Sequence, residues 1–437
     1  MLQQFNFENF NSFRDEMSLD LSAAKISEFE NTVVKVGNEK LLPVIAIYGA
    51  NASGKSNVLS ALRNMCFYVT NSHFNDDDSI RDTSSERYSI EKMHFEDYYN
   101  PFLFDKESAN GRSEFEVFYT NKEEKTVNYG FSMDRGGVAE EWLLITAKSR
   151  GSKPKLIFRR DRDEGLLDLS GIPKKSAENL RIALSSKALI VSLGMVLKID
   201  VLRNVFEWFN QVTFIDYGNL INLLRVNYTV PAGIVDDENL RKRIASFLAS
   251  FDNSIVGLTA KNVKNEDDME YVRIRLLHKT VDGERTYPLP LSAESDGTKK
   301  MLSMFGPLDR VLTSGSVLVV DELNAKLHPL LMRHLLTLFL DPEKNPNHAQ
   351  LVFTCHDAWL LKSGLLRRDE IWFTEKDETG LSNLYSLADF VDDEGFKIRK
   401  DADYEKNYLL GKYGAIPTLE ALDMFEERAD EGADGDE

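Results

Sequence analysis

The sequence predicts a mixed α/β fold: a mostly parallel sheet core, an antiparallel β meander and a helical insert. Three observations carry that prediction. Short continuous apolar runs, "LPVIAIYGA", "SVLVVDE" and "LVFTC", are each followed by a turn and a helical pattern, as expected of strands buried on both faces of a parallel sheet. The segments "EFEVFYT", "TVNYGFSM" and "EWLLITAK" follow one another as an antiparallel meander does. From about residue 165 to 255 the apolar spacing turns helical.

In chain order, "LQQFNFENF" and "MSLDLS" read as strands on either side of a turn at Arg14 to Glu16. "LPVIAIYGA" is the first buried strand, and beyond Gly54 the residues Val58, Leu59, Leu62, Met65, Cys66 and Val69 recur at helical spacing. The polar, acidic stretch between about Phe74 and Asn110 reads as a mobile loop or insertion before the meander begins. Helices follow in "AENLRIALSSKALIVSL", "VLRNVFEWFNQV" and "ENLRKRIASFLASF". In the last, Leu240, Ile244, Phe247, Leu248 and Phe251 share a face that serves either a core or a partner.

"YVRIRLL" and "TYPLPLS" flank a turn at Asp282-Gly283, and "PLLMRHLLTLFL" and "EIWFTE" continue the alternation of helix and strand. The expected organisation is a first half over 1–160, a helical insert over 161–255, a second half over 256–424 and a disordered acidic tail over 425–437.

Composition removes several classes of function. A net charge of −18 argues against a chain that coats a nucleic-acid backbone and leaves room for no more than a local basic patch. The two cysteines, Cys66 and Cys355, cannot build a disulfide framework or a zinc site alone, which suits a reducing cytosol. The start "MLQQFNFENF" has no secretory pattern, and the apolar run "LIVSLGMVL" is far short of the roughly 20 residues of a bilayer span. A cytoplasmic protein with no membrane contact is expected.

The chemistry concentrates at three strand ends. "GANASGKS", Gly49 to Ser56, fits the phosphate-loop pattern between a strand and a helix. Gly49 and Gly54 let the backbone wrap closely, and the residues Asn51, Ala52, Ser53 and Asn57 complete the loop and helix start. Lys55 would reach the β- and γ-phosphates of ATP, and Ser56 would ligate Mg2+. "SVLVVDE" brings Asp321 to the carboxyl end of a buried strand, where it would join Ser56 in the magnesium shell, with Glu322 beside it to activate water. "LVFTCHD" ends at His356, placed to contact the γ-phosphate.

The order of phosphate loop, long insertion, "ESDGT", "VLVVDE", "LNAKLHP" and "FTCHD" resembles the ATP-binding-cassette (ABC) type of ATPase, which includes RecF and SMC heads and the overcoming-lysogenization-defect (OLD) nucleases. "PFLFD", "ESDGTKK", "DELNAKLHP" and "YLLGKYGAIP" are similar to a narrower group, the stand-alone AAA-type ATPases of bacterial abortive-infection and restriction-linked operons, the RloA/AbiLi type. The resemblance implies an ABC-ATPase head in which Ser295 and Gly297 contact ATP held by a second copy. It makes Asp321 and Glu322 the Walker B acids, Ala325 to His328 the D-loop and His356 the switch histidine. His328 departs from the usual D-loop Asp, and no glutamine loop is assigned.

From this follows an expected ATPase, using ATP and Mg2+, that forms a homodimer or higher homo-oligomer. It would serve antiviral defence by controlling in trans an effector protein, a TOPRIM-like or other nuclease, in response to a phage-encoded trigger. The competing expectation is a RecF/SMC-like DNA-repair ATPase that acts directly on DNA; a transporter subunit fits less, since nothing resembles a membrane-coupling element. The carboxylates after His356, Asp401 and Asp403 among them, read as solvated loops and not as a nuclease centre.

Overall fold

The structure is a computed structural model that describes residues 1–74, 94–149, 151–218, 231–265, 268–325, 327–362, 364–391, 397–399 and 402–416. The acidic tail, most of the acidic stretch after Phe74 and Asp401 lie outside the described residues.

The first strands are β1 (Leu2–Glu8), β2 (Met17–Asp20), β3 (Val34–Val36), β4 (Glu39–Leu41) and β5 (Val44–Gly49). The meander comprises β6 (Ser113–Thr120), β7 (Thr126–Asp134), β8 (Gly137–Thr146), β9 (Lys155–Asp161) and β10 (Leu166–Asp168). Then come β11 (Thr213–Asp216), β12 (Ile255–Lys264), β13 (Glu270–Lys279), β14 (Thr286–Pro290), β15 (Val317–Asp321), β16 (Gln350–Thr354), β17 (Ile371–Lys376) and β18 (Ser382–Ser386). A central sheet runs β11-β15-β16-β5-β17-β18, parallel except for its last pair. An antiparallel sheet runs β10-β9-β8-β7-β6-β1-β2, and a smaller one β12-β13-β14. The expected parallel core and antiparallel meander are both present.

Strand periodicity explains how the central sheet separates two cores. Ile45, Ile47, Val317, Val319, Val352 and Trp372 join one cluster with the meander and the helix Lys55–Asn71. Their sequence neighbours Ala46, Tyr48, Leu318, Val320, Phe353 and Phe373 join the other, with the helices Asp296–Ser314 and Pro329–Leu340. Continuous apolar runs are needed because both faces are covered, and each such side chain contributes about 1.5–3 kcal/mol by leaving water.

The segment 161–255 contains the expected helices and shares both cores. Leu202 and Phe209 of the helix Asp200–Gln211 pack in the first core. Ile244 and Leu248 of the helix Glu238–Ala249 pack in the second, so its apolar face is largely covered, and β11 forms an edge of the central sheet. The single helical run read over 177–193 is instead two helices, Lys174–Ala183 and Ile190–Val196. The buried Arg160 takes the carbonyls of Ser185 and Ala188 at 3.2 and 2.8 Å. Glu141 accepts the N–H groups of Ile190 and Val191 and so starts the second helix afresh. Among the described residues no helix is long and apolar enough to cross a membrane.

Candidate nucleotide-binding and hydrolysis site

The phosphate loop leaves the carboxyl end of β5 and enters the helix Lys55–Asn71 through backbone that favours glycine. Gly54 has φ 110°, and a Cβ there would lie 2.7 Å from Ser382 Oγ. At Gly49 a Cβ would fall 2.5 Å from the Thr374 carbonyl oxygen. The exposed Ala52 adopts φ 60°. Ser53 Oγ lies 2.6 Å from Thr374 Oγ1, and Asn57 donates to Ser12 Oγ at 2.8 Å, so neighbouring elements hold the loop at Ser53 and the helix start at Asn57. The helix has no side-chain cap at Gly54, an arrangement that leaves its positive end suited to an anion. Asn51 and Ser56 are exposed on this loop.

Lys55 is buried and its Nζ donates to the carbonyls of Gly49 and Ala50 at 2.9 and 2.7 Å. Burial lowers its pKa to about 8, against the opposing pull of Asp321 and Glu322. The free protein therefore loses this charge as pH rises through about 8, whereas a phosphate against Nζ would retain it. Nucleotide affinity is expected to fall between about pH 7 and about pH 9.5, with Kd approaching a tenfold rise per pH unit above the pKa. Titration with a fluorescent nucleotide checks this; a flat Kd across the range would mean that Lys55 stays charged in the free protein.

The acids stand one strand beyond β16. Thr354, at the end of that strand, donates to Asp321 Oδ1 and accepts the Glu322 N–H at 2.8 Å. Glu322 sits at φ 53°, a left-handed conformation that costs a non-glycine residue about 1–3 kcal/mol and is held by its surroundings. His356 Nε2 lies 4.0 Å from Glu322 Oε1, with both side chains a little over one third exposed. Burial, then the nearby Lys55, push the His356 pKa below its ordinary value against the pull of Asp321, so the imidazole is neutral at pH 7. Asp216, at the end of β11, is the register partner of Asp321 and adds a further carboxylate to this edge.

Ser56 and Asp321 are hard oxygen donors, and Thr354 engages one carboxylate oxygen of Asp321, leaving the other for a cation. Among the described residues no cluster of three or more His, Cys, Asp or Glu side chains could hold an ion by itself. Magnesium suits such a sparse set, because it takes much of its shell from phosphates and water. Bound there, it would neutralise charge on the β- and γ-phosphate oxygens.

Ser295 is exposed and caps the helix Asp296–Ser314, its Oγ accepting the Thr298 N–H at 3.0 Å; Gly297 lies in the first turn. Both sit at a helix start. His328, in the place of the D-loop Asp, also caps a helix: its Nδ1 accepts the Leu330 N–H at 3.2 Å. Lys326, within that loop, lies outside the described residues.

Sequence reasoning missed the partners that hold these groups: Thr354, Thr374, Ser12 and Ser382 around the loop and acids, and Lys300 beneath the acidic turn. A signal existed for the threonines, since "FTCHD" and "WFTEK" each end an apolar run with Thr at the sheet edge that carries the phosphate loop.

Among solved structures the chain is similar to the recombination mediator protein RecF of the RecFOR pathway bound to ATPrS, at 14% identity with a TM-score of 0.38. That likeness covers 88% of this chain and 98% of the other. The ATP form of RecF gives 14% identity and a TM-score of 0.37, over 88% of this chain and 99% of that one. A search of curated proteins finds no match. Residues 44–362, more than half of the chain and spanning every site residue named above except Ser12, Thr374 and Ser382, match the family described as "AAA domain, putative AbiEii toxin, Type IV TA system". The chain with this phosphate loop and acidic strand end belongs to that family of AAA domains.

Proposed function

We propose that the protein is a cytoplasmic ATP-hydrolysing switch of a bacterial antiviral defence system, closing as a pair around ATP and controlling a toxic nuclease effector in trans. The observation that carries the hydrolysis reading is the convergence of three strand ends. Lys55 is held at the end of β5, Asp321 and Glu322 at the end of β15, and His356 just after β16, all on one edge of a parallel sheet. ATP would take Lys55 Nζ from the loop carbonyls, Ser56 and Asp321 would hold Mg2+, and Glu322 would accept a proton from water attacking the γ-phosphorus. The bond from that phosphorus to the bridging oxygen breaks, giving ADP and phosphate. His356 would donate a hydrogen bond to the γ-phosphate and report its loss.

The defence reading is supported by the AbiEii description of the family. Pairing would draw Ser295 and Gly297 of one copy onto the nucleotide of the other, so ATP favours the closed state by differential affinity. Purified protein is expected to hydrolyse MgATP without DNA and to co-purify with the product of a neighbouring effector gene. Turnover that depends on added DNA, with no such partner, would overturn the defence reading in favour of direct action on DNA.

A further inference from the structure

Glu322 occupies a left-handed backbone conformation, and something must hold it there. Thr354 does so from β16, through the Glu322 N–H and its own carbonyl, which accepts the Leu323 N–H at 3.2 Å. On the other side the turn closes with the Ala325 N–H donating to the Glu322 carbonyl at 3.0 Å. Two carbonyls of that turn, those of Leu323 and Ala325, both accept from Lys300 Nζ, at 2.8 and 2.6 Å.

Lys300 is 4% exposed, a burial that a lysine tolerates when its donors are met. It lies little more than one turn into the helix that Ser295 caps. Its Nζ also stands 3.8 Å from the centre of the Tyr217 ring, and the Tyr217 N–H donates to the Asp321 carbonyl at 3.2 Å. One side chain thus joins the helix start at Ser295, the end of β11 and the turn that aims Glu322.

We propose that Lys300 is a positioning residue that fixes the Glu322 turn and couples it to the helix start carrying Ser295. The proposal rests on the hydrolysis reading for its catalytic consequence, while the clamp itself does not. A misplacement of a reacting group by about 1 Å is enough to cost about 100-fold in rate.

The test compares wild type, Lys300→Met, which keeps the apolar stem without donors, and Lys300→Arg, which keeps donors. MgATP turnover, Kd for a fluorescent ATP analogue, and hydrogen exchange of a peptide spanning Asp321 to Ala325 are measured on each. Lys300→Met is expected to lower kcat about 100-fold with Kd changed less than about threefold, and to speed exchange in the turn about tenfold. Lys300→Arg is expected to recover most of both, which a residue serving only to fill space would not do.

Unchanged exchange in a folded Lys300→Met protein overturns the proposal whatever the turnover does. A parallel loss of Kd and kcat also overturns it, by making Lys300 a general packing residue. If Lys300→Met does not fold, Lys300→Arg decides: wild-type exchange supports the clamp, and fast exchange in a folded protein despite the retained donors overturns it. Faster exchange in Lys300→Met, beside a wild type that binds MgATP without turning it over, supports the clamp and sinks the hydrolysis reading instead.

Discussion

Glu322→Gln is expected to lower ATP turnover by about 100- to 10,000-fold, the range that loss of a general base produces, while leaving ATP binding within a few fold. The substitution removes the proton acceptor but keeps the side-chain size, and the backbone contacts that hold the turn are unaffected: the Glu322 N–H to Thr354 and the carbonyls on Lys300. Lys55, which would carry the phosphate contact, lies on a different strand end and loses only one of two nearby negative charges. If ATP closes two copies, stalled hydrolysis should accumulate the closed form, so this variant with MgATP should elute as a dimer under conditions where wild type returns to monomer. Turnover within about tenfold of wild type would remove Glu322 as the base. A variant that stays monomeric in saturating ATP would remove the sandwich.

The parts of the site that were legible in the sequence are those whose chemistry is contiguous. "GANASGKS" and "SVLVVDE" each contain their own strand, turn and functional side chains. Burial on both faces also makes the strands around them uninterrupted apolar runs, so β5, β15 and β16 fall within a residue or two of where the runs place them.

What could not be read depends on sheet order and on side chains that reach across the chain. Thr354 meets Asp321 because β16 lies beside β15, and Lys300 meets Leu323 and Ala325 because its helix crosses beneath that turn. Short alternating "TFID" in a helical region gave no sign that β11 would pair with β15 and set Asp216 beside Asp321. The break between Ala183 and Ile190 is equally non-local, because Arg160 and Glu141 come from the meander to take the backbone groups that a continuous helix would have used.

Ser295→Arg is expected to abolish ATP-driven pairing and lower turnover by about 100-fold or more, the scale of losing a donor to developing phosphate charge, with ATP still bound. Ser295 is exposed and its bond to Thr298 stays within its own helix, so a long side chain there obstructs an incoming partner and not its own phosphate loop. The same change removes a helix cap worth about 1 kcal/mol, and Ser295→Asp separates the two effects. Asp keeps the cap and places a negative charge where the partner's phosphates would arrive, so it too should fail to pair.

Mixing gives the more demanding result. Lys55→Ala should bind no ATP yet still offer an intact Ser295, and Ser295→Ala, which drops the hydroxyl without adding bulk that would block a partner, should bind ATP yet offer none. Together they can build one complete site per dimer from two inactive chains, so the mixture should regain turnover that neither shows alone. A site complete within a single chain could not be restored by mixing, and no recovery would return Ser295 to an ordinary helix cap.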